Sequence, residues 1–175
     1  ITAHRDWLSP IVNLLHTELL NQRYLHIDET PVQVLNEEGR KNTAVSYMWV
    51  YSSIKNSEQP IRMYEYQPGR SGKYPQEFLK DYQGYIHTDA YKGYEKVSGI
   101  IRCFCWTHLR RYFVDALPKD INSSETTLPA QAIEYINKLF DIETKLEILS
   151  PEGRKEQRLI QEKPLLDAFW SWAEQ

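Results

Sequence analysis

A chain of 175 residues with 41% hydrophobic residues carries enough apolar mass to bury a core, and fits one domain or one domain with an appendage. Its net charge of −3 argues against a chain whose own surface grips nucleic acid strongly, because that grip comes from Lys and Arg neutralising phosphates; for a DNA substrate most of the grip would lie elsewhere. No apolar run is long enough to span a membrane, and Ile1-Thr-Ala-His-Arg-Asp6 lacks the apolar centre of a signal peptide; no membrane partner and a cytoplasmic location are therefore expected.

Along the chain, Ser9-Pro10 reads as an N-cap followed by proline at the first helical position. Ile11, Leu14, Leu15 and Leu19 give that helix an apolar face to about Asn21. Residues 24–35 alternate loosely and meet the turn cluster Asn36-Glu-Glu-Gly-Arg-Lys41. A strand over 44–52 follows, with Tyr47, Trp49 and Tyr51 on one face and Met48 and Val50 on the other, which predicts a hairpin. Residues 61–66 make a third strand, ended by Pro68-Gly69, and Pro75 opens a short helix through Tyr82. A strand over 84–88, a turn or short helix over 91–97, a strand over 100–106 and a Thr107-capped helix over 108–117 complete the first part. This order predicts an α/β fold: a mixed sheet with crossover helices.

Beyond Pro118 only helical patterns remain, over 129–149, 151–161 and from Pro164 onward. Residues 1–118 carry 14 Lys/Arg against 13 Asp/Glu, and 119–175 carry 7 against 11, so the acidity belongs to the tail. A boundary near Pro118 is expected, with a core over 1–118 and a helical region over 119–175. The chain has no initiator Met and stops at Trp170-Ser-Trp-Ala-Glu-Gln175 within a helical pattern, which reads as a piece of something longer.

Two aspartates follow short apolar-leaning stretches: Asp28 in Tyr24-Leu-His-Ile-Asp-Glu-Thr-Pro31, and Asp89 in Gly84-Tyr-Ile-His-Thr-Asp-Ala-Tyr-Lys-Gly-Tyr94. Carboxylates are the hard ligands that Mg²⁺ takes. Two ions roughly 3.5–4 Å apart can activate a hydroxyl nucleophile and neutralise both the attacking and the leaving oxygen of a phosphodiester. Neighbouring strands lie about 4.8 Å apart, so strand-end aspartates can share such an ion. Both segments also resemble turn chemistry, and the turn reading stays open here. Glu29 points to the opposite face if the strand runs through it, as a loop or hydrogen-bonding residue. Glu134, Glu143 and Glu147 fall on a long amphipathic helix, where glutamate is usually solvated.

Cys103 and Cys105 are poorly aimed for a disulfide and read as reduced thiols. With His108 and His87 they make a nominal four-ligand zinc set, but the spacing fits no compact zinc module. Arg70, Lys92, Arg110 and Arg111 are candidates for a phosphate track, with ordinary surface charge as the competing reading. Tyr91 and Tyr94 are candidates for stacking on bases. The 12 tyrosines raise a tyrosine recombinase, yet no Arg/His/Arg/Tyr arrangement supports one.

The segments His26-Ile-Asp-Glu-Thr-Pro-Val-Gln-Val34, Ser46-Tyr-Met-Trp-Val-Tyr51, Tyr66-Gln-Pro-Gly-Arg-Ser-Gly72, Gly84 to Tyr94 and Cys105-Trp-Thr-His-Leu-Arg-Arg-Tyr-Phe113 resemble the catalytic core of the insertion-sequence-66 family of bacterial DDE transposases. The resemblance continues through Ile142-Glu143, Arg154, Arg158 and Pro164-Leu-Leu166, and so covers nearly the whole chain. It implies a ribonuclease H-like fold with a helical insertion between the second and third catalytic acids. It further implies Asp28 and Asp89 as the first and second acids, two Mg²⁺ (or Mn²⁺) ions, element-end and target DNA, and self-assembly. The third acid, a Glu, is expected beyond Gln175. His108, in a Cys-x-x-His element, is implied as an accessory that orients a carboxylate or contacts DNA. A core that folds but is inactive by itself is expected. A nuclease that only hydrolyses and a non-catalytic transposase-derived interaction module are the alternatives.

Overall fold

The computed structural model describes residues 2–118 and 127–175. Internal packing divides the chain between Cys105 and Trp106. The sequence places a boundary later, near Pro118, and the stretch 119–126 that opens its helical region lies outside the described residues.

The first unit is a five-stranded sheet in the order β3-β2-β1-β4-β5. Strands β1 (Tyr24–Gln33), β2 (Val45–Ser53) and β3 (Arg62–Gln67) form an antiparallel meander, and β4 (Gly84–Thr88) and β5 (Ile100–Phe104) run parallel to β1. Helix α1 (Thr2–Leu20) precedes the sheet, α2 (Lys73–Phe78) lies on the crossover from β3 to β4, and a 3-10 turn (Lys92–Lys96) lies between β4 and β5. This mixed sheet with its crossovers is the ribonuclease H-like α/β arrangement that the resemblance implies.

One face of the sheet forms the core. Along β1, Leu25, Ile27 and Glu29 are buried while His26, Asp28 and Thr30 are exposed, the period-two alternation of a strand with one covered face. Trp49 and Tyr51 from β2 and Ile86 from β4 join the buried row, covered by Leu19, Leu79 and Tyr94. The Tyr51 ring stacks on Phe78 at 3.5 Å with the planes 3° apart. Each such aromatic buries on the order of 150–250 Å², so the face is held mainly by apolar burial.

Several boundaries differ from those predicted. Helix α1 begins well before Pro10 and runs through it; proline removes one backbone donor but leaves the turns on either side able to form. Helix α2 starts at Lys73, ahead of Pro75, which places the proline in the first turn, where its missing N–H costs nothing. Strand β5 ends at Phe104, and Trp106 is already helical.

The second unit comprises α3 (Trp106–Asp115), α4 (Leu128–Leu146) and α5 (Pro151–Ala173). Thr127 and Ser150 cap α4 and α5, accepting from the Ala130 and Gly153 N–H groups, which satisfies donors that a helix start leaves unpaired. Helix α5 continues through Pro164, where two helices are predicted. Buried Glu162 and Phe169 on either side of the proline tie both halves to the same packing, which outweighs the lost bond to Ile160. The Phe169 ring lies 5.5 Å from Trp106, 5.8 Å from Tyr135 and 5.8 Å from Trp172. No helix among the described residues is long and apolar enough to cross a membrane.

Candidate functional site

Strands β1 and β4 pair in parallel with Tyr24 opposite Tyr85, Leu25 opposite Ile86 and His26 opposite His87. The offset is 61 residues at every pair, and the same offset separates Asp28 from Asp89. Carried on by two residues past the last printed pair, this register sets the two aspartates level, Asp28 midway along β1 and Asp89 just after the end of β4. The His26 and His87 rings, 4.7 Å apart, lie two residues before them. Partial desolvation holds His26 below its ordinary pKa although the residue is exposed overall, so this neighbouring imidazole favours its neutral form.

Asp28 lies inside β1 and is exposed, its Oδ1 accepting the Glu29 N–H at 2.9 Å. Asp89 follows β4, and its Oδ1 accepts the Tyr91 N–H at 3.0 Å, the bond of an Asx turn. The turn reading thus describes the geometry of Asp89, whereas Asp28 is a strand residue. Asp89 Oδ2 accepts from Arg70 Nη2 at 3.2 Å. Arg102 braces the same loop, donating from Nη2 to the Asp89 and Tyr91 carbonyls at 2.7 Å each and from Nε to Thr88 Oγ1 at 2.9 Å.

Glu29 points to the other face and its side chain has no exposed area. A buried carboxylate is costly unless partnered, and Glu29 has two partners. Arg70 Nε donates to Oε1 at 2.5 Å, and the Tyr94 hydroxyl donates to Oε2. Burial raises the Glu29 pKa, and the bonds from Tyr94 and Arg70 oppose that rise. Burial, then the charges of Glu29, Asp89 and Asp28, push the Tyr94 hydroxyl far above its usual range. Three carboxylates thus act on one corner.

Two loops meet there. The Arg70 guanidinium lies 4.1 Å from the centre of the Tyr91 ring, and the Tyr91 hydroxyl donates to the Arg70 carbonyl. A Cβ built on Gly72 would stand 2.3 Å from the Gly93 carbonyl oxygen, so only glycine allows this approach.

Of the residues singled out from sequence, Asp89, Arg70 and Tyr91 are brought together, Asp28 stands on the neighbouring strand β1, and Lys92 begins the neighbouring 3-10 turn with its side chain exposed. His108, Arg110 and Arg111 lie on α3 in the second unit. Arg110 Nε donates to Asn137 Oδ1 at 2.8 Å. Tyr94 is fully buried, which corrects its reading as a base-stacking residue. Glu134 pairs with Lys138 and Glu143 with Arg158, as helix-surface acids do. Cys103 and Cys105 are free thiols. Among the described residues, no group of three His, Cys, Asp or Glu side chains is placed to hold a metal ion, so the nominal zinc set is not assembled.

Sequence reasoning passed over Glu29 as an anchor for Arg70. The strand alternation places an acid in the buried row of β1, which calls for a cation, but a sequence separation of 41 conceals which cation answers.

Residues 1–175 match the family model described as Transposase IS66 family. The chain belongs to the IS66 transposase family. Two curated relatives of this IS66-family chain come from Sinorhizobium fredii (strain NBRC 101917 / NGR234). The uncharacterized protein y4hP is 25% identical over 94% of the chain, and the uncharacterized protein y4jD is 25% identical over 91%. Each alignment covers 33% of the relative, so the chain spans about a third of the length of these proteins. No solved structure matches it.

The donor chemistry of the corner suits a hard divalent cation. The Arg70 guanidinium pairs with Glu29 and Asp89, and oxygen carboxylates are what Mg²⁺ and Mn²⁺ prefer. Asp28 and Asp89 are two such donors.

Proposed function

We propose that this chain carries the first two acids of a DDE transposase active site, Asp28 and Asp89, which together hold Mg²⁺ or Mn²⁺, two ions in the intact site. The third carboxylate is proposed from residues following Gln175. The level placement of Asp28 and Asp89 on adjacent parallel strands is the observation that supports this most. The bound ions would supply charge neutralisation on the phosphate and a lowered pKa for the attacking hydroxyl.

The chain's own residues prepare that chemistry. Asp28 presents an exposed carboxylate from a rigid central strand. The Tyr91 N–H and Arg70 fix both oxygens of Asp89, while Arg102 holds the backbone that carries it. The scaffold is thus preorganised. In the reaction proposed for the whole protein, a water oxygen bonds to phosphorus at the element end and the bond to the 3′ oxygen breaks, releasing a 3′ hydroxyl. That hydroxyl then attacks a target phosphodiester, displacing one strand of the target as the new bond forms. DNA and further transposase copies are the partners in this reading.

Incubating the full-length transposase with element-end duplex and Mg²⁺ tests it. Joined products are expected from the native protein, and neither nicks nor joints from Asp28→Asn or Asp89→Asn. Nicks without joints would replace transposition by hydrolysis alone. Full activity in either variant would refute the carboxylate assignment.

A further inference from the structure

Two nitrogens of the Arg70 guanidinium meet carboxylates in different surroundings. Nε meets Glu29 Oε1 at 2.5 Å, and the Glu29 side chain has no exposed area. The Tyr94 hydroxyl takes the second Glu29 oxygen from within the core. Nη2 meets Asp89 Oδ2 at 3.2 Å, and 11% of the Asp89 side chain is exposed. The Glu29 pair is therefore the sealed one, and the longer, partly exposed Asp89 pair is the weaker one. A guanidinium carries five N–H donors on a rigid fork and holds two oxygens at once. The Tyr91 ring, 4.1 Å away, sets the plane of that fork.

We propose that Glu29 is a positioning residue that anchors Arg70 through Nε, so that Nη2 can exchange partners between the Asp89 carboxylate and a phosphate oxygen. Without cation, Arg70 neutralises Asp89. With a divalent cation and a phosphodiester bound, Asp89 would serve the cation and the freed Nη2 would take the phosphate, while Glu29 keeps the guanidinium from drifting. The inference rests on the reading of Asp89 as a metal ligand.

The exchange makes a prediction of sign that a plain scaffold role does not. A guanidinium on Asp89 Oδ2 competes with the cation for that oxygen, so removing its charge must tighten cation binding. Removing the anchor must do the opposite, because Arg70 released from Glu29 settles fully onto Asp89. If Arg70 and Glu29 only hold the loop together, removing either loosens the site.

Titration of Mn²⁺ into the 175-residue chain, followed by the electron paramagnetic resonance signal of free Mn²⁺, separates these. Arg70→Gln is expected to bind Mn²⁺ more tightly by about three- to tenfold, the scale of one unit charge at close range in a solvated site. Glu29→Gln is expected to bind it more weakly. Because Arg70→Gln leaves Glu29 buried without a cation, the double variant Glu29→Gln/Arg70→Gln removes both charges together and is expected to bind as tightly as Arg70→Gln. In the presence of Mn²⁺, both Arg70 variants should lose affinity for a short duplex oligonucleotide. Loss of Mn²⁺ binding in Asp89→Asn with no tightening in either Arg70 variant would overturn the exchange while leaving the metal site standing. Unchanged binding in Asp89→Asn would remove the metal reading of Asp89, and this inference with it.

Discussion

Gly72→Ala is the substitution whose cost can be worked most directly from the structure. The new Cβ would lie 2.3 Å from the Gly93 oxygen, 2.8 Å from its Cα and 2.9 Å from its carbonyl carbon. All three are backbone atoms, so no side chain can rotate away. Reaching ordinary contact distance requires the two loops to part by roughly 1 Å. Gly72 has φ −60° and ψ −11°, a conformation alanine adopts freely, so the exchange would by itself stabilise the fold by about 0.4–1 kcal/mol through the unfolded chain. Overpacking against backbone costs about 1–3 kcal/mol, and the clash wins. A net loss near 1–2 kcal/mol lowers the melting temperature by roughly 2–8 °C, readable by circular dichroism. The larger effect is on function: Arg70 lies on one parting loop and Asp89 leads into the other, and a displacement of that size costs on the order of 100-fold in turnover. Strand cleavage by the full-length Gly72→Ala protein should fall accordingly. A melting temperature equal to or above that of the native protein, with full cleavage, would refute the close-approach reasoning.

Further outcomes follow from the same geometry. Tyr94→Phe removes a buried donor to Glu29 and should cost about 1–3 kcal/mol in chemical denaturation of the first unit; a cost near zero would mean the hydroxyl does not serve the carboxylate. In the second unit, burial and then neighbouring Glu143 push Glu162 up to about 7. An acid with a raised folded pKa favours the protonated folded form, so stability is full below the unfolded value and is lost as pH rises through 7. Thermal melts between pH 5 and 8 should show that decline, on the order of 1–3 kcal/mol, and Glu162→Gln should flatten it; an unchanged slope would contradict the assignment. Ser150→Ala removes the cap on Gly153 and should cost about 1 kcal/mol. Phe169→Ala empties the centre of the aromatic cluster and should cost about 3–5 kcal/mol, both measured by denaturant titration.

The sheet was legible where a strand alternates cleanly: Tyr47, Trp49 and Tyr51 on one face of β2 follow from spacing, whereas residues 24–35 alternate only loosely in sequence and show their buried row on β1 only in the fold. The level placement of Asp28 and Asp89 was not legible, since it depends on which residue of β4 sits opposite which residue of β1, and nothing local encodes that register. Prolines misled the helix boundaries at Pro10 and Pro164 because each removes a single backbone bond; at Pro164, buried Glu162 and Phe169 on either side outweigh it. Arg70 and Arg110 read alike in sequence, as phosphate-track candidates with surface charge as the competing reading, yet one is drawn to a buried acid and the other to Asn137. Only the folded chain brings those partners within reach.

The 61-residue offset between β1 and β4 also has a consequence for how the protein is made. The antiparallel meander of β1, β2 and β3 closes over short turns and can form as soon as it leaves the ribosome. Docking β4 onto β1 requires closing a loop of about sixty residues, an entropic cost of roughly 3–4 kcal/mol beyond a constant. Asp28 is therefore in place early and waits for Asp89. A nascent chain holding only the meander has Asp28 without Asp89 beside it, so the corner is completed only once β4 has docked.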